Sequence, residues 1–485
     1  MPSLIDNPSV SSNQRLQNEV YLLGFDFGST TSSALIASVQ INKSVTGRMV
    51  FSEINILFRS DPVFTPFVDG EIDLMSVSKL IHYWLMQSKV SAQQVFSGGS
   101  IITGLAAKAE NALGLQSLIK DIVGESVIAS VDDPSLESWL AFMGCSGSLR
   151  RYYSNERILN LDIGGGTTNA AIGLNGDVIA TGCYFVGARH FKFIVGSYQL
   201  VEISSYGRAL LKSLKITKKI GDFLKKNDRE KILEYYIDAL EAIALNHTAF
   251  FQSNVGQLHQ QVALIRNDLK STKITFSGGV GELIYKLSSG LALPDTTFYG
   301  DFGIDLAEAI MESSVLSADL KTLIPENKGR ATLYGLTLHN TEISGHTLFL
   351  PNPDLLPLSN LPIIAKLSLD TPCSQWQNAI QLACRHKQGA CIQIINLSLP
   401  NLENIQQLAK KIQFHLIDLV NQKNQPFVIL VEDNIGKVLG QYCSNWGQIM
   451  PQLIVIDEVP LRHAQFVRLG RLHQHILPVS FYGIQ

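Results

Sequence analysis

One strand-and-turn phrase occurs twice in this chain, and that repeat limits the possible folds more than any other feature. Residues 20–31 read V-Y-L-L-G-F-D-F-G-S-T-T, and residues 158–168 read I-L-N-L-D-I-G-G-G-T-T. Each is an apolar run that ends in an aspartate and passes into a glycine-rich turn with adjacent hydroxyls. Asp26 matches Asp162, Gly28 matches Gly164, and the pair Thr30 and Thr31 matches Thr167 and Thr168. A single copy is an ordinary strand and turn; two copies predict two similar lobes that face one phosphate chain. After each turn the pattern stays β-rich: SSALIASVQI and MVFSEINILF after the first, NAAIGL and DVIATGCYFV after the second. Asn175-Gly176, between the last two, is a tight-hairpin signal because both positions must tolerate φ > 0. Each glycine turn therefore joins strand to strand, whereas a Walker loop joins strand to helix, and no G-x-x-x-x-G-K-[ST] occurs in the chain.

A triphosphate needs backbone N–H groups at close range, which glycine turns offer without a Cβ in the way. It also needs hydroxyl donors and a carboxylate to hold Mg²⁺ or order its water shell. Residues 26–31 supply Asp26, Gly28, Ser29, Thr30 and Thr31; residues 162–168 supply Asp162, Gly164, Gly165, Gly166, Thr167 and Thr168. Both aspartates end apolar strands, where an unpaired buried carboxylate is costly, and a shared cation accounts for the pair. A third turn, Ser277-Gly278-Gly279-Val280-Gly281-Glu282, follows the strand T-K-I-T-F and opens a helix. Its glycines would let a base and ribose lie against the backbone, beside exposed helix N–H groups.

At 485 residues the chain predicts several domains. Net charge is −3 and the pI about 6.4, which gives no general attraction to nucleic acid or anionic membrane. Six scattered cysteines (Cys145, Cys183, Cys373, Cys384, Cys391, Cys443) form no C-x-x-C, as expected of reduced buried thiols in a cytoplasmic protein. The opening residues show no basic run followed by an apolar one and are not expected to be a secretory leader, and no uncharged apolar run approaches bilayer length. Residues 1–17 read as a disordered polar tail, 18–150 as a first lobe, 151–344 as a second and 345–485 as a C-terminal α/β module. Helices are expected over 74–90, 134–144 and 228–251. The stretch 345–362 carries Pro351, Pro353, Pro357 and Pro362 and reads as a boundary.

Phosphate turn, connecting helix, second phosphate turn, adenosine turn and second connecting helix fall at residues 24–31, 134–144, 162–168, 277–282 and 331–338. That ordered set resembles the actin, heat-shock chaperone and sugar-kinase superfamily, which implies two ribonuclease H-like lobes of mixed sheets flanked by helices. The phrases S-G-G-S-I-I-T-G-L-A-A-K-A-E-N-A, L-N-L-D-I-G-G-G-T-T-N-A-A-I, I-T-F-S-G-G-V-G-E and P-L-S-N-L-P resemble, more narrowly, the EutA family of ethanolamine ammonia-lyase reactivating factors. This resemblance runs from about residue 20 to about 460 and weakens in the tail that begins L-R-H-A-Q-F.

The resemblance implies a weak ATPase that acts as a chaperone. It uses ATP and Mg²⁺ to exchange a damaged corrinoid in ethanolamine ammonia-lyase for intact adenosylcobalamin. The partner implied is that lyase; the setting implied is the cytoplasm, with association to a bacterial microcompartment and self-association left open. Asp26 and Asp162 would hold Mg²⁺ directly or through water, with Thr103 in its shell. Glu137 would orient the attacking water. Gly278, Gly279 and Gly281, with Ser277, would line the adenosine, and Asp301 is a weaker nucleotide-side candidate. Three other readings stay open: a small-molecule kinase using Asp132, Asp133 or Asp301 as base, a nucleotide-binding scaffold or filament, and a peptide-binding chaperone. A metal site at His473 and His475 is the weaker reading of a solvated tail.

Overall fold

The computed structural model describes residues 18–484 except 29–30, 45–47, 69–70, 104–110, 125–126, 132, 154, 267–271, 346, 387, 398–400, 418–424 and 449–451. The expected polar tail and the candidates Ser29, Thr30 and Asp132 lie outside the described residues.

The first lobe is a sheet in the order β3-β2-β1-β4-β5. Strands β1 (Glu19–Phe27), β2 (Thr31–Lys43) and β3 (Met49–Arg59) form an antiparallel meander; β4 (Val95–Ile102) and β5 (Val127–Val131) continue it in parallel. Helices α1 (Leu74–Ser88) and α2 (Ala112–Val123) cover one face. Asp73 starts α1 by accepting from the N–H groups of Met75 and Ser76, and the Trp84 ring then stacks on Phe25 of β1 at 5.7 Å.

Helix α3 (Pro134–Cys145) leads to the second lobe. There β6 (Arg157–Ile163), β7 (Thr168–Leu174) and β8 (Asp177–Tyr184) repeat the meander, with Asn175 and Gly176 at φ 55° and 91° in the expected hairpin turn. An insertion follows: the hairpin β9 (Phe191–Phe193) and β10 (Leu200–Ile203), then α4 (Ser205–Ser213) and α5 (Lys226–Leu245). Strand β11 (Gln260–Val262) pairs with the outer edge of β8, and β12 (Lys273–Ser277) lies parallel to β6. Helix α6 (Gly278–Ser288) leaves the end of β12, and α7 (Gly303–Glu312) packs on it. The meander with a parallel strand beside its first member is thus built twice, as the ribonuclease H-like reading requires.

Helix α8 (Ala331–Leu338) returns from the second lobe and crosses α3. The crossing is close because both helices present glycine. A Cβ at Gly144 would overlap the Ala331 carbonyl, and one at Gly335 would overlap the Leu140 carbonyl.

The remainder is a seven-stranded sheet in the order β13-β19-β18-β14-β15-β16-β17, built from β13 (Thr341–Ser344), β14 (Leu358–Leu367), β15 (Ala390–Ile394), β16 (Phe427–Val431), β17 (Leu453–Ile456), β18 (Ala464–Leu469) and β19 (Leu477–Ile484). Helices α9 (Cys373–Arg385), α10 (Leu402–Ile417) and α11 (Gly436–Cys443) pack on one face around Trp376, Ile380 and Leu408. The proline stretch read as a boundary lies against the opposite face of this sheet with Leu348, Leu350, Leu355 and Leu356. Thr341–Ser344, at the end of the span 151–344 assigned to the second lobe, pairs with β19 in this sheet. Cys145, Cys183, Cys391 and Cys443 are buried free thiols; Cys373 departs from expectation in being exposed at the start of α9. Among the described residues no helix is long and apolar enough to cross a membrane.

Candidate functional site

Asp26 sits one residue before the end of β1, and Asp162 one residue before the end of β6. The two turns that follow are alike in atomic detail. The Gly28 N–H donates to the Thr31 carbonyl at 3.0 Å, and the Gly164 N–H donates to the Thr167 carbonyl at 2.9 Å. Strand pairing sets the equivalence beyond the turn: Phe27 pairs with Ser32, and Ile163 with Thr168. The hydroxyl pairs therefore correspond as Thr31 with Thr167 and Ser32 with Thr168, one residue away from the match that the sequence suggests.

This register separates the two threonines of the second turn. Thr168 is fully buried and its Oγ1 donates to the Val186 carbonyl at 2.7 Å, so its hydroxyl holds the turn from beneath. Ser32 is its counterpart, buried and bonded to Thr65 Oγ1 at 2.9 Å, while that threonine donates to the Gly28 carbonyl. Thr31 and Thr167 stay accessible.

The second turn is oriented by a strip that the sequence reading missed. Ala188 N–H donates to the Gly164 carbonyl at 3.1 Å, and Arg189 N–H to the Gly165 carbonyl at 2.5 Å. In a trans peptide the N–H points opposite its own C=O. With both carbonyls drawn inward, the N–H groups of Gly165 and Gly166 turn outward, as an anion-binding nest requires. Gly187 makes this possible: a Cβ there would sit 2.7 Å from the Gly165 carbonyl oxygen and 2.9 Å from the Gly166 carbonyl carbon. The signal, a glycine in F-V-G-A-R shortly after the hairpin, is visible in the sequence but means nothing without the register.

Beneath Asp162 runs a ladder of polar side chains between β6 and its parallel neighbour β12. Register places Thr275 beside Asn160 and Ser277 beside Asp162. Thr275 Oγ1 donates to Asn160 Oδ1 at 3.1 Å, Asn160 Nδ2 donates to Ser277 Oγ at 2.8 Å, and Ser277 Oγ donates to Asp162 Oδ1 at 2.5 Å. Ser277, expected to line adenosine, is fully buried and orients Asp162. In the third turn Gly278 has φ 79° and packs on the Ile163 backbone, and Gly279 is open to solvent. Gly281 is buried and packs closely on the Phe276 backbone.

The electrostatics join the two lobes. Burial, and after it the charge of Asp162, push the Asp26 carboxyl up from 3.8 to about 7. Burial pushes Asp162 up to about 6, against the Ser277 hydroxyl, which pulls it down. Two carboxylates from different lobes thus repel each other, and a divalent cation would relieve that repulsion. Among the described residues no cluster of three or more His, Cys, Asp or Glu is present. The donor set fits a hard cation such as Mg²⁺, which takes one or two carboxylates and completes its shell with phosphate oxygens and water.

Thr103 also comes to this place: its N–H donates to the Phe27 carbonyl at 3.0 Å, and its Oγ1 lies beside Gly28. Glu137 occupies the first turn of α3, half-buried. Two of the acids that a kinase reading would use as base, Asp133 and Asp301, are otherwise engaged. Asp133 caps α3, accepting from Leu136 N–H at 3.0 Å and from Gly483 N–H at 2.7 Å. Asp301 is buried, accepts from Gly303 N–H at 2.8 Å and pairs with Arg189 at 3.4 Å. His473 and His475 stand exposed in the turn between β18 and β19, a hairpin and not a loose tail.

The family model described as ethanolamine utilisation protein EutA matches residues 18–481. The match continues through the segment beyond residue 460, where the resemblance was expected to weaken. The chain is 28% identical over 475 residues to the ethanolamine ammonia-lyase reactivase EutA of Escherichia coli (strain K12), covering 92% of this chain and 94% of that protein. It is 27% identical over 464 residues to the protein of the same description from Salmonella typhimurium, with the same coverage. Among solved structures, a Ppx/GppA family member from Aquifex aeolicus matches 66% of this chain and 88% of its own, at 13% identity and a TM-score of 0.33.

Proposed function

Since the chain belongs to the EutA family of ethanolamine utilisation proteins, we propose that it is an ATP-driven reactivating factor for ethanolamine ammonia-lyase. In this reading it drives exchange of damaged cobalamin for intact adenosylcobalamin in that client, within the cytoplasm and at a microcompartment where one is present. The observation that carries the reading is the facing pair Asp26 and Asp162, one from each lobe, each at the mouth of an equivalent glycine turn.

Asp26 and Asp162 would hold Mg²⁺, directly or through its water shell, with Thr103 beside it. When bound, the cation would neutralise the phosphate oxygens and the carboxylate repulsion together. Gly28 and Thr31, with Ser29 and Thr30, would grip the phosphates from the first lobe. Gly164, Gly165, Gly166 and Thr167 would grip from the second, the outward N–H groups of Gly165 and Gly166 serving as donors. Gly278 and Gly279 would lie against the adenosine, and Glu137 would order the attacking water. Because one nucleotide touches both lobes, its binding favours their closed arrangement, by no more than its differential affinity for the two. The hard chemistry stays with the cobalamin in the client.

The decisive experiment is a reactivation assay with inactivated lyase, fresh adenosylcobalamin, Mg-ATP and this protein. Recovery of lyase activity is expected with the wild type, and Asp162→Ala is expected to abolish it while remaining folded. Full recovery with the variant removes Asp162 from the site. Absence of recovery with the wild type, alongside phosphorylation of a small metabolite, would return the kinase reading.

A further inference from the structure

The lysine-rich turn between α4 and α5 lies in the second lobe, outside the phosphate turns. Residues 212–226 read K-S-L-K-I-T-K-K-I-G-D-F-L-K-K: six lysines and one aspartate, net +5, in a chain whose net charge is −3. The rest of the molecule is therefore acidic, and this stretch is its basic exception.

The turn is held firmly. Lys215 and Gly221 take φ 58° and 94°. Ile216 and Leu224 are buried in the core of the lobe. Gly221 N–H donates to the Leu200 carbonyl at 2.8 Å, Leu224 N–H to the Tyr198 carbonyl at 3.1 Å, and Gln199 Nε2 to the Gly221 carbonyl at 3.0 Å. Gln199 and Phe223 add an isolated antiparallel bridge to the edge of β10. Asp222, the acid within the stretch, already accepts from the Lys219 N–H at 3.0 Å.

What this fixed turn presents is mixed. Lys212, Lys215, Lys219, Lys225 and Lys226 are exposed. Among them Lys226 pairs with Glu230 at 3.7 Å; the other four make no ion pair among the described residues. Ile220 and Phe223 stand between them, 58% and 56% exposed. A large aromatic ring held out on a rigid turn beside an aliphatic side chain, rimmed by like charges, has the anatomy of an anchor with a polar rim.

We propose that this turn is a docking surface for an acidic patch on the client protein, the lysines steering the encounter and Phe223 with Ile220 seating in an apolar recess. The proposal rests on the reading that ethanolamine ammonia-lyase is the client. A folded protein suits the surface better than a polynucleotide. The apolar anchors need an apolar recess, and a long polyanion that ran past the turn would meet the acidic remainder of this chain.

The test measures binding of full-length protein to purified ethanolamine ammonia-lyase at low and moderate salt, with Mg-ATP affinity followed in parallel. Reversing Lys212, Lys219 and Lys225 to Glu is expected to weaken binding at least tenfold at low salt and to flatten its salt dependence. Phe223→Ala is expected to weaken it about tenfold at both salt concentrations, and neither variant changes Mg-ATP affinity. Variants that bind the lyase as tightly as a competent wild type overturn the docking surface alone. A wild type that neither binds nor reactivates the lyase overturns the client reading as well. A single-stranded oligonucleotide that binds wild type and is lost on charge reversal, with lyase binding kept, replaces the proposal with a polyanion site.

Discussion

Asp26 and Asp162 are both pushed upward on folding, from 3.8 to about 7 and about 6. Between 3.8 and about 7 the folded chain therefore binds more protons than the unfolded one. Without a cation, stability falls as pH rises across that window, and the loss is complete above it. Asp162→Asn keeps an Oδ1 acceptor for Ser277 and removes the charge. It is expected to raise the melting temperature of the nucleotide-free protein at pH 8, by a gain on the order of 2 kcal/mol, and to flatten the dependence on pH. Thermal melts in a chelator from pH 5 to 8 check this; a variant that melts like wild type throughout shows that neither burial nor the neighbouring carboxylate penalises the Asp162 charge. Added Mg²⁺ should narrow the difference, because the wild type gains from it and the variant does not. Much at this scale was legible in advance: aspartate, glycine and hydroxyl stand in the same order in both phrases. Which hydroxyl faces outward was not legible, because Thr167 and Thr168 differ only in strand phase, and phase depends on the partner strand.

At the scale of elements, the helix crossing is the most demanding contact. The α3 and α8 backbones approach at Gly144 and Gly335, where a side chain has no room. Gly335→Val is expected to force the helices apart and cost about 3 kcal/mol, read as a lower urea midpoint; an unchanged midpoint would mean that the crossing has slack. Both helices were expected from small residues and a proline start, while their mutual approach follows only from the fold. In the proline stretch the sequence hides a strand. Pro362 reads as a breaker because it lacks an N–H. Strand β14 accepts it by changing partners there. Residues 358–362 pair antiparallel with β18, and residues 363–367 pair parallel with β15. A strand that switches neighbours at its proline leaves no periodic trace of its own.

For the whole molecule, the two lobes and the third sheet meet around the crossing helices. Arg462 stacks on Trp139 of α3 at 4.3 Å and pairs with Glu342 of β13, while Ile343 and Ile476 pack with Val20 and Leu22 of the first sheet. A nucleotide that closes the lobes therefore acts on helices that the third sheet also grips. Small-angle scattering is expected to show a smaller radius of gyration with a non-hydrolysable Mg-ATP analogue, and no change for Asp26→Asn. Identical curves for the wild type with and without nucleotide would rule out the clamp.

The cap of α3 has a further consequence. Asp133 gives one oxygen to its own helix and the other to Gly483, 350 residues along the chain. The brace between the lobes is thus fastened by a strand that follows both glycine turns in the chain. A newly made molecule would hold both halves of the proposed cradle well before this brace could form, so the two turns would be complete before anything couples them to the third sheet.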